Sequence, residues 1–279
     1  MPVLFNPPQG FRLPRTASLY AALLLACSTA PAWAGDVCNP ATGSLATGTS
    51  AYACGRSSSA FGAYSSAFGV GNIAYGDSSS AFGSLNTTDG GNSSAFGSSN
   101  NVNGTSSNAF GSSNGVSGDY SSALGISNTV IGGTSSAVGY FNIVRSNGGS
   151  AFGYDNTIVG SQSNAFGYEN VVEGHFNSAF GSFNHTSGES SSAFGYGNFA
   201  SGEFSGAFGY NSFASGDDSS AFGFYATTTG TGSIAVAGLY DRDGNGGVTN
   251  DLDLDGDGMN DASSEIGRAS CRERVFVGV

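Results

Sequence analysis

Side chains that could bind a metal ion are concentrated in one acidic stretch near the C-terminal end of the chain. Two groups of three oxygen-bearing residues, twelve residues apart, and one further aspartate form this set: Asp241, Asp243, Asn245, Asp253, Asp255, Asp257 and Asp261. In each group the oxygens occupy positions 1, 3 and 5 and a glycine occupies position 6, an arrangement that folds several ligands around one hard cation. Closely spaced carboxylates repel one another unless a cation neutralises them. The sequence therefore predicts Ca²⁺ binding within residues 239–264.

The type of calcium loop is indicated by what surrounds these residues. The twelve-residue spacing resembles that of thrombospondin type 3 calcium repeats. An EF-hand would need flanking helices and a bidentate acid at position 12. Leu252 and Ser264 stand at that position, and no helical pattern flanks the loops. The alternative interpretation is a solvated acidic linker without bound metal.

Other residue types that carry chemistry do not form a set. His175 and His185 occupy different positions of the repeat described below, without a consistent partner. Serine is abundant, but no Gly-x-Ser-x-Gly motif with supporting triad residues is found, so a hydrolase is not supported. The formal charge of −12 and the absence of lysine argue against a nucleic-acid partner. We predict that the protein is not an enzyme.

The N-terminal residues 1–34 have the pattern of an export signal. Arg12 and Arg15 precede an apolar stretch at 19–26, and Ala-Trp-Ala at 32–34 fits a signal peptidase site. The apolar stretch is too short to span a bilayer, so we predict no transmembrane segment here. A Leu-Leu-Ala-Cys sequence ending at Cys27 offers lipoprotein processing as the alternative. Both interpretations predict export, to the cell surface, the outer membrane or the extracellular space.

A lead segment, residues 35–58, contains Cys38 and Cys54. An exported chain permits a disulfide between them, and two unpaired thiols are the alternative. Residues 265–279 differ from everything before them, because they hold three of the eight arginines and none of the repeat pattern. They resemble the translation of a sequencing-adapter oligonucleotide. We interpret them as an artefact and expect the natural chain to continue differently.

The central part of the chain, residues 59–238, repeats the phrase Ser-x-Ala-Phe-Gly. After one step of seven residues, its alanines recur every fourteen residues: Ala60, Ala67, Ala81, Ala95, Ala109, Ala123, Ala137, Ala151, Ala165, Ala179, Ala193, Ala207 and Ala221. A short fixed period is the signature of a solenoid. Both halves of each unit end on glycine, except at Ser146, and glycine suits corners with positive φ or little space. The four or five residues between corners suffice only for a short strand, which predicts an all-β solenoid with two strands per coil.

Strand alternation assigns side chains to the inside and the outside of each coil. The repeated alanines and the small or β-branched residues of the second half, such as Val116, are predicted to fill a thin interior. An asparagine three residues after the first-half glycines from Gly69 to Gly195, such as Asn114, is predicted to stack on its copies as a structural ladder. An array of ligand-binding amides is the alternative for these asparagines.

The phenylalanines next to the alanines are then predicted to point outward. They would form a ladder roughly 55–60 Å long, larger than the apolar patch that a soluble monomer usually exposes. We therefore predict that the following residues are buried between chains: Phe82, Phe96, Phe110, Phe152, Phe166, Phe180, Phe194, Phe208 and Phe222. Tyrosines at one further position could form a contact stripe or pack on a neighbouring chain: Tyr154, Tyr168, Tyr196 and Tyr210. The alternative places phenylalanine inside and alanine outside.

The repeat unit resembles a known family. Residues 77–90, Asp-Ser-Ser-Ser-Ala-Phe-Gly-Ser-Leu-Asn-Thr-Thr-Asp-Gly, are similar to the head repeats of trimeric autotransporter adhesins of the YadA-like or haemagglutinin-repeat type. The resemblance covers residues 59–238 and implies a left-handed parallel β-roll that assembles as a homotrimer. The family phrase usually has Ile or Val where this chain has Phe, which implies a wider or differently packed interface. No heptad stalk or membrane anchor follows Gly238, so we expect either a longer natural chain or a secreted protein.

The resemblance implies a surface-exposed adhesin head that binds extracellular matrix, host cells or neighbouring cells. The alternative is a secreted structural matrix or surface-layer repeat protein that assembles with Ca²⁺. An ice-binding solenoid would need a flat Thr or Ser face, and the outward positions here are mixed.

Overall fold

The computed structural model of the chain describes residues 36–38 and 43–237. Within these residues all regular structure is β-strand, arranged in two parallel sheets of fifteen and fourteen strands. The chain alternates between the sheets, and each strand pairs with the strand of the same sheet in the coils before and after it. The prediction of an all-β parallel solenoid with two strands in each fourteen-residue coil is confirmed.

The long-strand sheet consists of β1 (Asp36–Val37), β3 (Tyr52–Arg56), β5 (Ser66–Val70), β7 (Ser80–Ser84), β9 (Ser94–Ser98), β11 (Asn108–Ser112), β13 (Ser122–Ile126), β15 (Ser136–Tyr140), β17 (Ser150–Tyr154), β19 (Asn164–Tyr168), β21 (Ser178–Ser182), β23 (Ser192–Tyr196), β25 (Gly206–Tyr210), β27 (Ser220–Phe224) and β29 (Ile234–Ala237). The short-strand sheet consists of β2 (Leu45–Ala46), β4 (Ser59–Ala60), β6 (Ile73–Ala74), β8 (Thr87–Thr88), β10 (Asn101–Val102), β12 (Gly115–Val116), β14 (Thr129–Val130), β16 (Ile143–Val144), β18 (Thr157–Ile158), β20 (Val171–Val172), β22 (His185–Thr186), β24 (Phe199–Ala200), β26 (Phe213–Ala214) and β28 (Thr227–Thr228).

The first step of seven residues in the repeat has a structural explanation. Ala60 lies on β4 of the short-strand sheet, whereas Ala67 lies on β5 of the long-strand sheet. The phrase Ser-x-Ala-Phe-Gly therefore occurs once in the second half of a coil before it settles into the first half. Phe61 stacks on Tyr75 in that half, apart from the phenylalanines that follow the long-strand alanines.

The interior is thin and filled by small side chains. Alanines of the long strands and the Val, Ile, Thr or Ala residues of the short strands are buried, with Ala109 and Val116 fully inaccessible. Ile158 is the largest side chain that is fully buried among the described residues. The assignment of alanine to the inside is confirmed, and the alternative with phenylalanine inside is wrong because the coil has no room for a ring.

The two sets of glycines have different structural reasons. Gly111, which ends the first half of its coil, adopts a φ of +121° that an L-residue rarely adopts. Gly118, which ends the second half, has no positive φ, but a Cβ there would overlap the backbone carbonyl of Gly132 in the next coil. Glycine thus provides conformation at one corner and close backbone approach at the other.

The corners also contain left-handed residues that are not glycine. Ser106 and Ser113 have φ values of 55° and 58°, and the same conformation recurs about every seven residues with Tyr, Leu, Phe, Asp or Glu in place. This conformation costs of order 1 kcal/mol or more per residue. The N–H of Ser113 donates to the carbonyl of Ser98 in the preceding coil at 2.8 Å, so the inter-coil ladder continues through the corner. That hydrogen bond offsets part of the conformational cost.

Buried asparagines form a ladder along one corner, as predicted. The backbone N–H of Asn100 donates to Oδ1 of Asn86 at 3.0 Å, and its Nδ2 donates to the same oxygen at 2.9 Å. The same Nδ2 also donates to the carbonyls of Phe96 and Gly111 at 3.1 and 2.9 Å. One side chain therefore satisfies backbone groups of its own coil and of the neighbouring coils, which supports a structural role for the amides.

A second ladder, of buried serines, lies along the other corner. Ser107 Oγ donates to the carbonyl of Gly118 at 2.8 Å and accepts the N–H of Ser121 at 3.0 Å. Ser163 repeats the first contact with Gly174 at 3.0 Å. Together, the asparagine ladder and the serine ladder provide hydrogen-bond partners for buried backbone groups at both corners.

In one coil, the glycine and the buried polar residue of the corner have exchanged places. Ser146 stands where the other coils have glycine, and Gly149 stands where they have a buried serine or asparagine. A Cβ on Gly149 would lie 2.7 Å from Val144 Cγ1 and 3.2 Å from Ser146 Oγ. The glycine therefore makes the space that the side chain of Ser146 needs, although Ser146 Oγ has no hydrogen-bond partner within the described residues.

We predict that replacing Asn100 with Ala destabilises the solenoid by about 2–4 kcal/mol, because several buried donors and acceptors lose their partner at once. Asn101→Ala is the matched control, since its side chain is exposed at the adjacent position. It should change the free energy of unfolding by less than about 0.5 kcal/mol. Urea denaturation followed by circular dichroism measures both variants. Equal midpoints for the two variants would contradict the role of the ladder.

Candidate functional site: the outer aromatic face

The outward side of the long-strand sheet carries two columns of largely aromatic side chains, one along most of the sheet and the other from Tyr140 to Phe224. Along each long strand, the residue after the inward alanine and the residue two positions later both point outward, because side chains alternate. We call these positions the Phe column and the Tyr column, and the two together the outer aromatic face. All nine phenylalanines predicted for an interface lie in the Phe column, next to buried alanines.

The Phe column is a stack of nearly parallel rings. Ring centroids of successive phenylalanines are 4.8–5.4 Å apart, with interplanar angles of 1–14°. The in-register pairing of the strands dictates this distance, which is the spacing between strands of a sheet. Leu124 and Val138 interrupt the stack between Phe110 and Phe152. The column is therefore two aromatic stacks joined by two aliphatic side chains.

Stacking leaves the outer edges of these rings in contact with solvent. Phe110 is 42% exposed and Phe222 is 40% exposed, although each touches a ring of a neighbouring coil. The aliphatic Leu124 is 50% exposed. The column is thus a continuous apolar strip of the kind that marks protein interaction sites.

The Tyr column lies beside the Phe column, next to the corner that carries the asparagine ladder. Tyr154 stacks on Tyr168 at 4.9 Å, and Tyr196 stacks on Tyr210 at 5.0 Å. Ser182 leaves a gap between these pairs. The gap is filled by the corner residue Phe183, whose ring meets Tyr168 and Tyr196 edge-on at 5.2 and 5.4 Å. The sequence offered no sign of this substitution, because Phe183 is one position out of phase with the column.

The Tyr168 phenol of the Tyr column remains uncharged at physiological pH. A hydrogen bond to Glu169 and desolvation raise the pKa of the Tyr168 phenol to about 12. The neutral phenol is the form that donates to the Glu169 carboxylate.

The two cysteines of the predicted disulfide lie at one end of the outer aromatic face. The structure joins Cys38 and Cys54 by a disulfide, with 4.9 Å between their Cα atoms. Cys54 is on β3 and pairs in register with Phe68, so it occupies the Phe-column position of its coil. The disulfide therefore attaches a residue of the lead segment to the beginning of the column.

The remaining predicted site residues lie elsewhere. The seven predicted calcium ligands fall outside the described residues, and Ca²⁺ binding stays a prediction. His175 Nδ1 accepts the backbone N–H of Ser161 at 3.0 Å, and His185 Nε2 lies 3.2 Å from Glu173 Oε2. Within residues 36–38 and 43–237, no three or more His, Cys, Asp or Glu side chains converge on a point where a metal ion would fit. The same residues contain no helix long and apolar enough to cross a membrane.

Comparison with known families identifies the repeat. The family model for the YadA head domain repeat, in a two-copy form, matches residues 46–72, 74–100, 187–212 and 214–236. The coils between these matches share their strand pattern and their fourteen-residue register. No curated protein matches the chain. Residues 46–72, 74–100, 187–212 and 214–236 of the solenoid therefore match YadA head domain repeats, which is consistent with the head of a YadA-like trimeric autotransporter adhesin.

Proposed function

We propose that the solenoid is the head of a homotrimeric surface adhesin and that the Phe column is the seam between its three chains. The observation that carries this proposal is the continuous strip of partly exposed apolar side chains, most of them phenylalanine rings, on the long-strand sheet. The family supports it, because YadA heads are trimeric in general and suggest an adhesin function. The fold and the family likewise point to a structural protein without enzymatic activity.

The thin interior gives a physical reason for assembly. A core of Ala opposite Val or Thr buries little apolar area per residue, and buried apolar area contributes about 25 cal/mol per Å². Burying the Phe column against other chains adds apolar area that a single coil cannot enclose. Phenylalanine suits such a seam because it has no polar atom to satisfy, whereas the tyrosines keep a hydroxyl that suits the solvated rim.

In this proposal, adhesion results from weak contacts that are repeated along the solenoid. A trimeric roll presents the same polar and aromatic groups every fourteen residues on each chain, so many weak contacts act together and avidity multiplies them. Extracellular matrix, host cells and neighbouring cells are the partners that this arrangement suits. The export signal predicted in residues 1–34 agrees with a place at the cell surface or the outer membrane.

We predict that replacing both Phe152 and Phe166 with Asp dissociates the trimer, because six carboxylates would meet in the seam without cationic partners. The matched control replaces Phe199 and Phe213 with Asp on the opposite sheet, where Phe213 is 45% exposed. Sedimentation equilibrium of the purified protein measures the mass. A wild type that sediments as a folded monomer, or a Phe152/Phe166 variant that stays trimeric, would refute the seam.

We also propose that residues 239–264 bind Ca²⁺ through the seven oxygen-bearing residues named above. Titration calorimetry should show binding in the range of 10⁻⁴–10⁻³ M, which is typical of extracellular calcium modules. Asp255→Ala should weaken it, whereas Asp218→Ala, an exposed aspartate of the solenoid, should not. A wild-type protein without heat of Ca²⁺ binding would contradict this proposal.

Chelation separates the adhesin from the alternative of a calcium-assembled matrix or surface-layer protein. Light scattering before and after addition of EDTA measures the assembled mass. The trimer proposed here should survive EDTA, because its seam is apolar. Assemblies that disperse to monomers on chelation would favour the matrix protein.

A further inference from the structure

We propose that a pocket at one corner of the solenoid binds a short segment of a neutral glycan. The pocket lies at the corner that connects each short strand to the next long strand, on the edge of the sheet opposite the Tyr column. It has a volume of about 530 Å³ and extends over four successive coils. That volume is within the range of small-molecule sites, roughly 300–1,000 Å³. The proposal concerns a separate site and does not depend on the trimer.

Two glycines create the pocket. Gly133 and Gly148 form its floor: Gly133 takes the position that Asp119 and Asn147 occupy in the adjacent coils, and Gly148 takes the position that Thr134 and Gln162 occupy. Coils are about 4.8 Å apart, so Tyr120 and Gln162 lie roughly 14 Å from each other, with Thr134 next to Tyr120 and the side chain of Gln162 close to Gly148. The space that remains accommodates about one or two pyranose rings placed along the solenoid axis.

Asp119 and Asn147 place fixed polar atoms at the pocket. Oδ1 of Asp119 accepts the N–H of Thr105 at 2.7 Å, and Oδ1 of Asn147 accepts the N–H of Gly133 at 2.8 Å. These bonds hold both side chains against the corner backbone. The second carboxylate oxygen of Asp119 and the amide Nδ2 of Asn147 make no other hydrogen bond within the part of the chain that the structure describes. An acceptor and a donor two coils apart are thus oriented in advance for the hydroxyls of a sugar.

Tyr120 supplies the apolar surface that a pyranose ring needs. Its side chain is 70% exposed, more than any other large apolar side chain of the described residues. Its ring makes no contact with another aromatic ring there, whereas the rings of both columns cover one another. The face of an aromatic ring is electron-rich and attracts the C–H groups on one face of a sugar. Tyr120 is therefore free to stack on a ligand in a way that the column tyrosines are not.

Charge limits the kind of sugar. Asp119 is the only charged residue of the lining, and no arginine or lysine is present there. A uronic or sialic acid would bring its carboxylate toward that of Asp119 without a compensating cation. The pocket is thus matched to neutral hexoses and N-acetylated hexosamines rather than to acidic glycans.

Saturation-transfer NMR of the purified protein with defined tetrasaccharides tests this inference. The probes are cellotetraose, mannotetraose and chitotetraose, with tetragalacturonic acid as the acidic counterpart. At least one neutral probe should give saturation transfer, and the acidic probe should give none. Absence of transfer to all three neutral probes, or equal transfer to the acidic one, would overturn the proposal.

Two variants test whether the neutral glycan binds at this pocket. Tyr120→Ser should weaken the affinity for the neutral probe at least tenfold, and it should fold because Ser106 occupies the same left-handed position. Tyr64→Ser is the matched control: Tyr64 has the same conformation and is 66% exposed, but the next coil carries Asp77 in place of glycine. Equal losses in the two variants would show that the sugar binds elsewhere and would refute the site.

A third variant fills the pocket without replacing its polar side chains. Gly133→Thr adds a side chain at a position where Thr105 is accommodated, and its Cβ would lie 3.4 Å from the nearest atom, the carbonyl oxygen of Asp119. The variant should keep the circular dichroism spectrum of the wild type and lose binding of the neutral probe. Unchanged binding by a folded Gly133→Thr protein would contradict the assignment.

Discussion

In-register stacking of the backbone is the constraint on which the other features of this molecule depend. Each coil places its N–H groups opposite carbonyls of the next coil about 4.8 Å away, so every position in the repeat faces its own copy. At the buried positions, the residue types that recur are those that stack well on themselves. Amides, hydroxyls, alanines and flat rings satisfy this condition, and they are the residues that dominate the fourteen-residue unit. The asparagine ladder is its clearest expression, because each amide completes hydrogen bonds of three coils.

Because of the same constraint, the stability of this molecule does not come from the large hydrophobic core that is usual in globular proteins. Two strands that face one another across a single coil leave space for Ala opposite Val, and Ile158 is the largest side chain that fits completely inside. Aromatic side chains are therefore excluded from the interior and accumulate on the outer sheet. The molecule is held together by hydrogen-bonded ladders along its axis, and its largest apolar surface faces outward, where other molecules can reach it.

Much of this organisation could be predicted from the sequence, because residues that stack on their own copies recur every fourteen positions along the chain. The strands, the inward alanines, the outward phenylalanines and the asparagine ladder all follow from the position of residues within the repeat. The left-handed corner residues could not be predicted, because Ser113, Leu85 and Phe176 have no side chain in common and their conformation is stabilised by backbone bonds to another coil. The serine ladder was concealed by the abundance of serine elsewhere.

The structural features that the sequence does not reveal are those in which a residue of one coil compensates for a residue of another. Gly149 makes room for Ser146, and Phe183 fills the gap that Ser182 leaves between two tyrosines. The corner pocket also depends on residues from four coils, so no single repeat contains it. A pattern read along the chain shows such departures as irregularities, and only the stacked coils show what each departure accomplishes.

The interruption of the Phe column at Leu124 and Val138 has a consequence for assembly. A uniform column of rings would fit a neighbouring column equally well after a shift of one coil, since every contact would simply be replaced by an identical one. Two aliphatic side chains in the middle remove this degeneracy, because a shifted partner would set a ring against a smaller group and leave a void. In the proposed trimer, Leu124 and Val138 therefore fix the register between the chains, so that equivalent coils of all three chains lie at the same height.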